Sequence, residues 1–286
     1  MDISSISKSC TSNLIGLEEE IQLLLKAIQT KLPAVIEGES GVGKTELAKT
    51  VVNALKPKRL LFRADGDENL NIGTLRGWFD PPLVLEKGFT EDAFIPGPLT
   101  SALLNGGVFF FNEVNRAPSE AINGVLTAMD ERSIFIPKLG KKIAHDNFYT
   151  VFTQNPTEYI GTNPLPEAFF DRCVYIKLNH KFGKEAQDIV TLRTDCKDHE
   201  LIELAVRLVD ESRSWHQFEI GASIRGAIQI VLLLDNTKFD KNIFTKTAIA
   251  VLSKKVKLFP DISSSVDKCI TQLVEYIYKA DVKKKD

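Results

Sequence analysis

Apolar positions along the chain change their period more than once. Leu17, Ile21, Leu24, Leu25 and Ile28 recur at helical spacing, behind Glu18, Glu19 and Glu20, whose carboxylates suit the positive end of a helix. From residue 33 onward short apolar runs alternate with helical stretches. Pro33-Ala34-Val35-Ile36 reads as a buried strand, residues 46–52 as a helix, and residues 59–63 as a second strand closing on the turn Ala64-Asp65-Gly66-Asp67. Residues 99–104 predict a short helix, and Val108-Phe109-Phe110-Phe111 a strand covered on both faces. Residues 120–129 form a further helix, entered through Pro118. Ile134-Phe135-Ile136 and Lys142-Ile143-Ala144 flank residues 137–140 as a hairpin. Residues 148–153 and 173–176 are further strands, with a turn and short helix over 164–170 between them. Strands alternating with helices predict an α/β fold with a central parallel sheet.

Two stretches depart from this alternation. Over residues 69–98 Gly73, Gly77, Pro81, Pro82, Gly88, Pro96, Gly97 and Pro98 break the apolar pattern into a loop-rich insertion. Trp78, Phe79, Phe89 and Phe94 within it either grip a partner or pin the insertion to the core. From Lys181 the period is helical throughout: Leu201, Leu204, Ala205 and Leu208 fit one face, and Ile224, Ile228, Val231 and Leu232 another. The expected organisation is therefore a β/α domain over residues 1–179 and a small all-helical domain over 180–286. Asn13-Leu14-Ile15-Gly16, ahead of the first helix, is either a surface turn or a segment lying against a bound base.

Composition narrows the class without naming a function. The 286 residues are 43% hydrophobic, enough for ordinary cores, and the net charge of −2 with acids and bases intermixed gives no general pull toward nucleic acid. The longest apolar run, near residues 228–234, is far short of the roughly 20 residues that cross a bilayer. Met1-Asp2-Ile3-Ser4-Ser5 has no secretory pattern, so a cytoplasmic location is expected. Cys10, Cys173, Cys196 and Cys269 are scattered free thiols. Cys196 and His199, three apart, lack the second pair that a metal site needs. The run Lys283-Lys284-Lys285 reads as a solvated, frayed tail.

The chemistry is concentrated in a few short blocks. Gly38-Glu39-Ser40-Gly41-Val42-Gly43-Lys44-Thr45 matches G-x-x-x-x-G-K-[ST] between a strand and a helix, the context in which backbone amides cradle phosphates. Lys44 then reaches the β and γ phosphates, and Thr45 offers its hydroxyl to magnesium. The strand over 108–111 delivers Asn112 and Glu113 to the C-terminal edge of the sheet, where such folds bind ligands, and the strand over 148–153 delivers Gln154 and Asn155 to the same edge. Arg172 stands ahead of the last strand.

Together with Gly221-Ala222-Ser223-Ile224-Arg225, these blocks resemble the AAA+ ATPase superfamily. More narrowly, Asn112-Glu113-Val114-Asn115-Arg116-Ala117-Pro118, Thr153-Gln154-Asn155-Pro156-Thr157-Glu158 and the run from Gly161 through Leu165-Pro166-Glu167-Ala168 to Asp171-Arg172 are similar to its MoxR branch. The resemblance covers about residues 14–235. It implies a P-loop αβα core followed by a helical lid, with the insertion of that branch over 69–98 and its hairpin around Pro137. It also implies ATP and Mg2+ as cofactors. Glu39 to Thr45 and Arg225 would bind nucleotide, and Thr45 and Asn112 would serve the metal. Glu113 would be the general base, Asn155 would orient the attacking water, and Arg172 would be an arginine finger lent to the neighbouring subunit; Arg116 either faces that neighbour or is a solvated surface arginine. The implied partners are copies of the chain in a ring, usually of six, and a protein client, in that branch often a von Willebrand factor A domain protein. No nucleic acid and no membrane insertion are expected.

One position departs from the branch, which has Asp where this chain has Asn112. The lost charge is worth at most about 3 kcal/mol at about 5 Å and an effective dielectric near 20. Weaker magnesium binding and slower turnover follow, and Asn112→Asp should lower the magnesium requirement. The leading expectation is an ATP-driven remodeller of a protein client. The alternatives are a nucleotide-gated scaffold that barely hydrolyses, motivated by Asn112, and a nucleic-acid-associated subunit, against which the absence of a basic stripe speaks.

Overall fold

The structure is a computed structural model that describes residues 3–156 and 164–285, with side chains through residue 279. Thr157, Glu158 and Gly161 of the motif blocks lie outside the described residues. Contacts divide the chain into two compact units, the first ending at Leu178 and the second beginning at Asn179; the loop residues Ser40–Val42 group with the second.

In the first unit, the central sheet has five parallel strands among the described residues. These are β1 (Ala34–Glu37), β2 (Leu61–Asp65), β3 (Val108–Asn112), β4 (Tyr149–Gln154) and β5 (Val174–Lys177), in the order β2-β3-β4-β1-β5. The inner strands are the apolar runs, and β3 and β4 are buried at every position. Successive side chains alternate between faces. Val35, Phe109, Phe111 and Phe152 join one core cluster with Leu99, Leu103, Ile122 and Val125 from the helices Pro98–Asn105 and Ser119–Asp130. Ala34, Ile36, Phe110 and Val151 turn to the other face and are buried there as well. The helices Glu18–Thr30 and Lys44–Ala54 adjoin strands of the same sheet, giving the αβα layering that the alternating pattern predicts. An N-terminal helix, Ile3–Thr11, packs against these two; its nine residues are too few to announce a period in the sequence.

The hairpin forms as predicted, Ser133–Ile136 pairing antiparallel with Gly140–Ile143. The insertion does not remain loop. It builds a helix Ile72–Arg76, capped by the Asn71 side chain, and a helix Pro81–Lys87, capped by Asp80. Between them Gly77–Phe79 pairs antiparallel with Phe94–Pro96. Both helices are shorter than the span over which an apolar period can be read, and their caps do the work of fixing their ends.

The second unit is helical: Gly183–Thr194, His199–Ser212, Ile224–Leu234, Lys241–Leu252 and Val266–Lys285 enclose a core that includes Leu201, Ala205, Leu208, Ile230, Leu252 and Leu273. Asp198 and Asp240 cap the helices they precede, accepting from Leu201 N and Ile243 N. The unit also carries a short antiparallel pair, Phe218–Ile220 with Lys257–Leu258, that the helical period hides. The backbone at Lys283–Lys285, expected as a frayed tail, continues the last helix. No helix among the described residues is long and apolar enough to cross a membrane. All four cysteines are free, and burial pushes the Cys10 and Cys196 thiols up and the Cys173 thiol to about 12.

Candidate active site at the sheet edge

Because the strands are parallel, the loops after β1, β3 and β4 leave from one edge. The loop after β1 reaches the helix Lys44–Ala54 through Gly41 and Gly43, at φ +89° and +101°, a left-handed backbone that a Cβ would strain. Lys44 Nζ donates to the carbonyls of Gly38 at 2.5 Å and Glu39 at 2.8 Å, so the ammonium lies within its own loop. Ahead of the loop, the Glu37 carboxylate accepts from Gln154 Nε2 of β4 and from the Tyr175 hydroxyl of β5, tying three strand ends together. Burial, and then the bond to Glu37, push Tyr175 up to about 12, so it remains a donor.

Asn112 is the hub of the edge. Its Oδ1 accepts from Thr153 Oγ1 at 2.9 Å and from Thr45 Oγ1 at 3.3 Å, while its Nδ2 donates to Asp65 Oδ1 at 2.8 Å. One buried amide thus joins the ends of β2, β3 and β4 to the first turn of the loop helix. Asp65 is in turn held by the Arg63 guanidinium, with Nε at 2.9 Å and Nη2 at 2.5 Å from its oxygens. Burial raises the Asp65 carboxyl, but the hydrogen bonds from Arg63 and Asn112 and the charges of Arg63 and Lys49 outweigh it and hold the group below its ordinary range. Asp65 is therefore ionised near neutral pH.

Glu113 follows with φ +52°, a left-handed conformation for a residue with a side chain, kept in place by its N–H donating to Thr153 Oγ1 at 2.9 Å. Arg116 Nη1 donates to Glu113 Oε2 at 3.0 Å, an ion pair within one turn of 3-10 helix. Asn155 is buried at the end of β4, where its carbonyl accepts from Asn115 Nδ2 at 3.1 Å. Thr45, Asn112, Glu113 and Asn155 are thus brought to one edge along with Lys44. Thr45 Oγ1 and Asn112 Oδ1 are both oxygens, which suit a hard divalent cation bound mainly through phosphates and water rather than by a protein cage; the Asp65 oxygens are taken by Arg63 and by the Asn112 amide. Asp65, Thr153 and Asn115 stand in the turn and motif blocks read from the sequence, which gave them no role of their own; Asp65 and Asn112 become partners only through the register that sets β2 against β3.

Arg172 is elsewhere. It precedes β5 and so sits at the opposite, N-terminal edge of the sheet, paired to Asp130 at 2.8 Å and donating to the Ala168 carbonyl at 2.6 Å. There it lines a cavity of about 370 Å³ with Lys31, Pro33, Phe148 and Tyr149. Arg225 is an exposed residue in the first turn of the helix Ile224–Leu234 of the second unit.

Comparison with known proteins agrees with this geometry. Residues 33–173 match the AAA domain (dynein-related subfamily). The chain is 28% identical over 247 residues to the gas vesicle ATPase GvpN of Haloferax mediterranei, covering 80% of this chain and 70% of that one. It is 24% identical over 247 residues to the uncharacterized protein YeaC of Bacillus subtilis, covering 76% and 73%. A crystal structure from Cytophaga hutchinsonii shares the fold with a TM-score of 0.55 at 19% identity, over 96% of this chain and 93% of that one. Residues 33–173 thus carry an AAA domain of the dynein-related subfamily, and the chain is similar over most of its length to a gas vesicle ATPase, as the resemblance to the MoxR-like AAA+ ATPases led one to expect.

Proposed function

We propose that this AAA+ ATPase binds Mg-ATP at the C-terminal sheet edge and hydrolyses it in a ring of copies, using the cycle to remodel or activate a protein client. The observation that carries the reading is the hydrogen-bonded hub at Asn112, which links the phosphate-loop helix through Thr45 to the strands that end in Glu113 and Asn155. A loop of amides from Gly38 to Thr45 would hold the phosphates, with Lys44 turning from its own carbonyls to the β and γ oxygens. Bound magnesium would add neutralising charge on those oxygens. Glu113 takes the proton of the attacking water, and Asn155 orients that water. Arg225 contacts the phosphates bound by its own subunit. Arg172 cannot serve its own subunit's edge from the far side of the sheet, which supports its assignment to the neighbour's site, where a guanidinium stabilises charge spread over the transferring group.

Steady-state phosphate release by the assembled protein, compared with Lys44→Ala and Glu113→Gln, tests this. Lys44→Ala is expected to abolish nucleotide binding, and Glu113→Gln to keep binding while lowering turnover by about 100-fold or more. Wild-type release no faster than that of Lys44→Ala would favour the nucleotide-gated scaffold instead.

A further inference from the structure

Asn112 stands where a magnesium site would use a carboxylate, and the missing carboxylate is one strand away. β2 and β3 pair with Asp65 directly opposite Asn112, and the two side chains meet at 2.8 Å. An ionised carboxylate only accepts hydrogen bonds, so it must face the amide nitrogen. That choice leaves Oδ1 for the two hydroxyls of Thr45 and Thr153, which can both donate. Were the amide reversed, its N–H groups would point at the hydroxyl and the metal region, and its oxygen at a carboxylate. We propose that Asp65 is a positioning residue for the magnesium-bearing nucleotide: it fixes the Asn112 amide with its oxygen toward Thr45 and returns, from the neighbouring strand, the negative charge that Asn112 lacks.

The Arg63 fork holds the Asp65 carboxylate in the orientation this needs, and chains of hydrogen bonds that end on a charge polarise the groups between. An Asp65 side chain 56% exposed, with Arg63 and Lys49 close by, has part of its charge screened. Orientation of the amide is therefore the larger share of its effect. The same contact changes what Asn112→Asp does alone: it removes the N–H that Asp65 accepts from and sets two acceptor groups against each other, so the new group loses the orientation the amide had.

The inference rests on reading this edge as a Mg-nucleotide site, and one titration addresses both. Binding of a fluorescent ADP to the full chain is followed by anisotropy, in EDTA and then against increasing Mg2+. Asp65→Ala is expected to raise the half-saturating Mg2+ by about tenfold, a larger change than any in its binding in EDTA. Asn112→Asp alone is expected not to lower it. The paired exchange Asp65→Asn with Asn112→Asp, which keeps one carboxylate and one amide and so serves where Asp65→Ala does not fold, is expected to return it to within about twofold of wild type. A wild-type Mg2+ requirement in Asp65→Ala, or an Asn112→Asp variant that alone does as well as the paired exchange, would overturn the proposal. A Lys44→Ala variant that binds as wild type in both conditions would instead remove the nucleotide site, and the proposal with it.

Discussion

At the scale of single residues, the edge is held by contacts that leave no room for exchange. Gly66, in the turn after β2, donates its N–H to the Asn112 carbonyl at 2.7 Å, and a Cβ built on it would lie 2.0 Å from the Glu113 carbonyl oxygen. That is backbone, which cannot swing aside as a side chain could. Gly66→Ala must therefore shift the peptide that holds Glu113 in its left-handed conformation. The expected outcome is a loss of roughly 1–3 kcal/mol in stability by chemical denaturation, with phosphate release falling further than nucleotide binding. Equal losses in both would show that the whole edge had moved and that Glu113 was not the sensitive point. The phosphate loop could be read from sequence because its fixed positions are consecutive and each does a separable job. Gly66, Asp65 and Thr153 could not, since their importance comes from the register of β2, β3 and β4, and an Asp-Gly turn looks the same whether or not a carbonyl lies beneath it.

Elements were legible in proportion to how much apolar surface they bury. Phe109, Phe111, Phe152 and Phe169 follow one another through the first unit's core as tilted or edge-on ring pairs, with centroids 4.9 to 6.4 Å apart, and the strands that carry the first three read as apolar runs. The insertion buries little, and its helices of five and seven residues have no stripe to show. Its aromatics divide into two kinds. Phe79 meets Phe89 at 5.0 Å and Phe94 at 5.2 Å, both edge-on, and Phe79 and Phe94 pack on the core, whereas Trp78 is 53% exposed. Pinning to the core, one of the two roles weighed from the sequence, is what Phe79 and Phe94 do, while Trp78, next to Phe79 on the same strand, is left exposed. Phe94→Ala is expected to lower unfolding stability by about 2 kcal/mol, while Trp78→Ala stays within about 0.5 kcal/mol of wild type. If urea denaturation found Trp78→Ala the costlier change, Trp78 would have to be a structural pin rather than a surface free to meet a partner.

At the scale of the whole molecule, the parallel sheet separates two chemical groups by its own length. Glu113 leaves the C-terminal end of β3, and Arg172 precedes the N-terminal end of β5, so no rotation of either side chain brings them to one nucleotide. Hydrolysis that needs both must draw them from different copies of the chain, and a head-to-tail ring supplies that arrangement at every interface. Mixing two inactive variants gives a direct reading. Glu113→Gln lacks the base and Arg172→Ala lacks the guanidinium, so each alone is expected to release phosphate at background rate. Where a ring assembles from equal amounts of both, an interface is intact only if one copy provides Glu113 and the next provides Arg172, which holds for about a quarter of interfaces under random assembly. Activity near that fraction of wild type, appearing on mixing and growing with the time allowed for subunit exchange, is the expected result. A mixture as inactive as its components, under conditions where labelled subunits are seen to exchange, would mean that Arg172 does not act across an interface; its bond to Asp130 at 2.8 Å would then be its role, as a clamp between the loop ahead of β5 and the helix Ser119–Asp130.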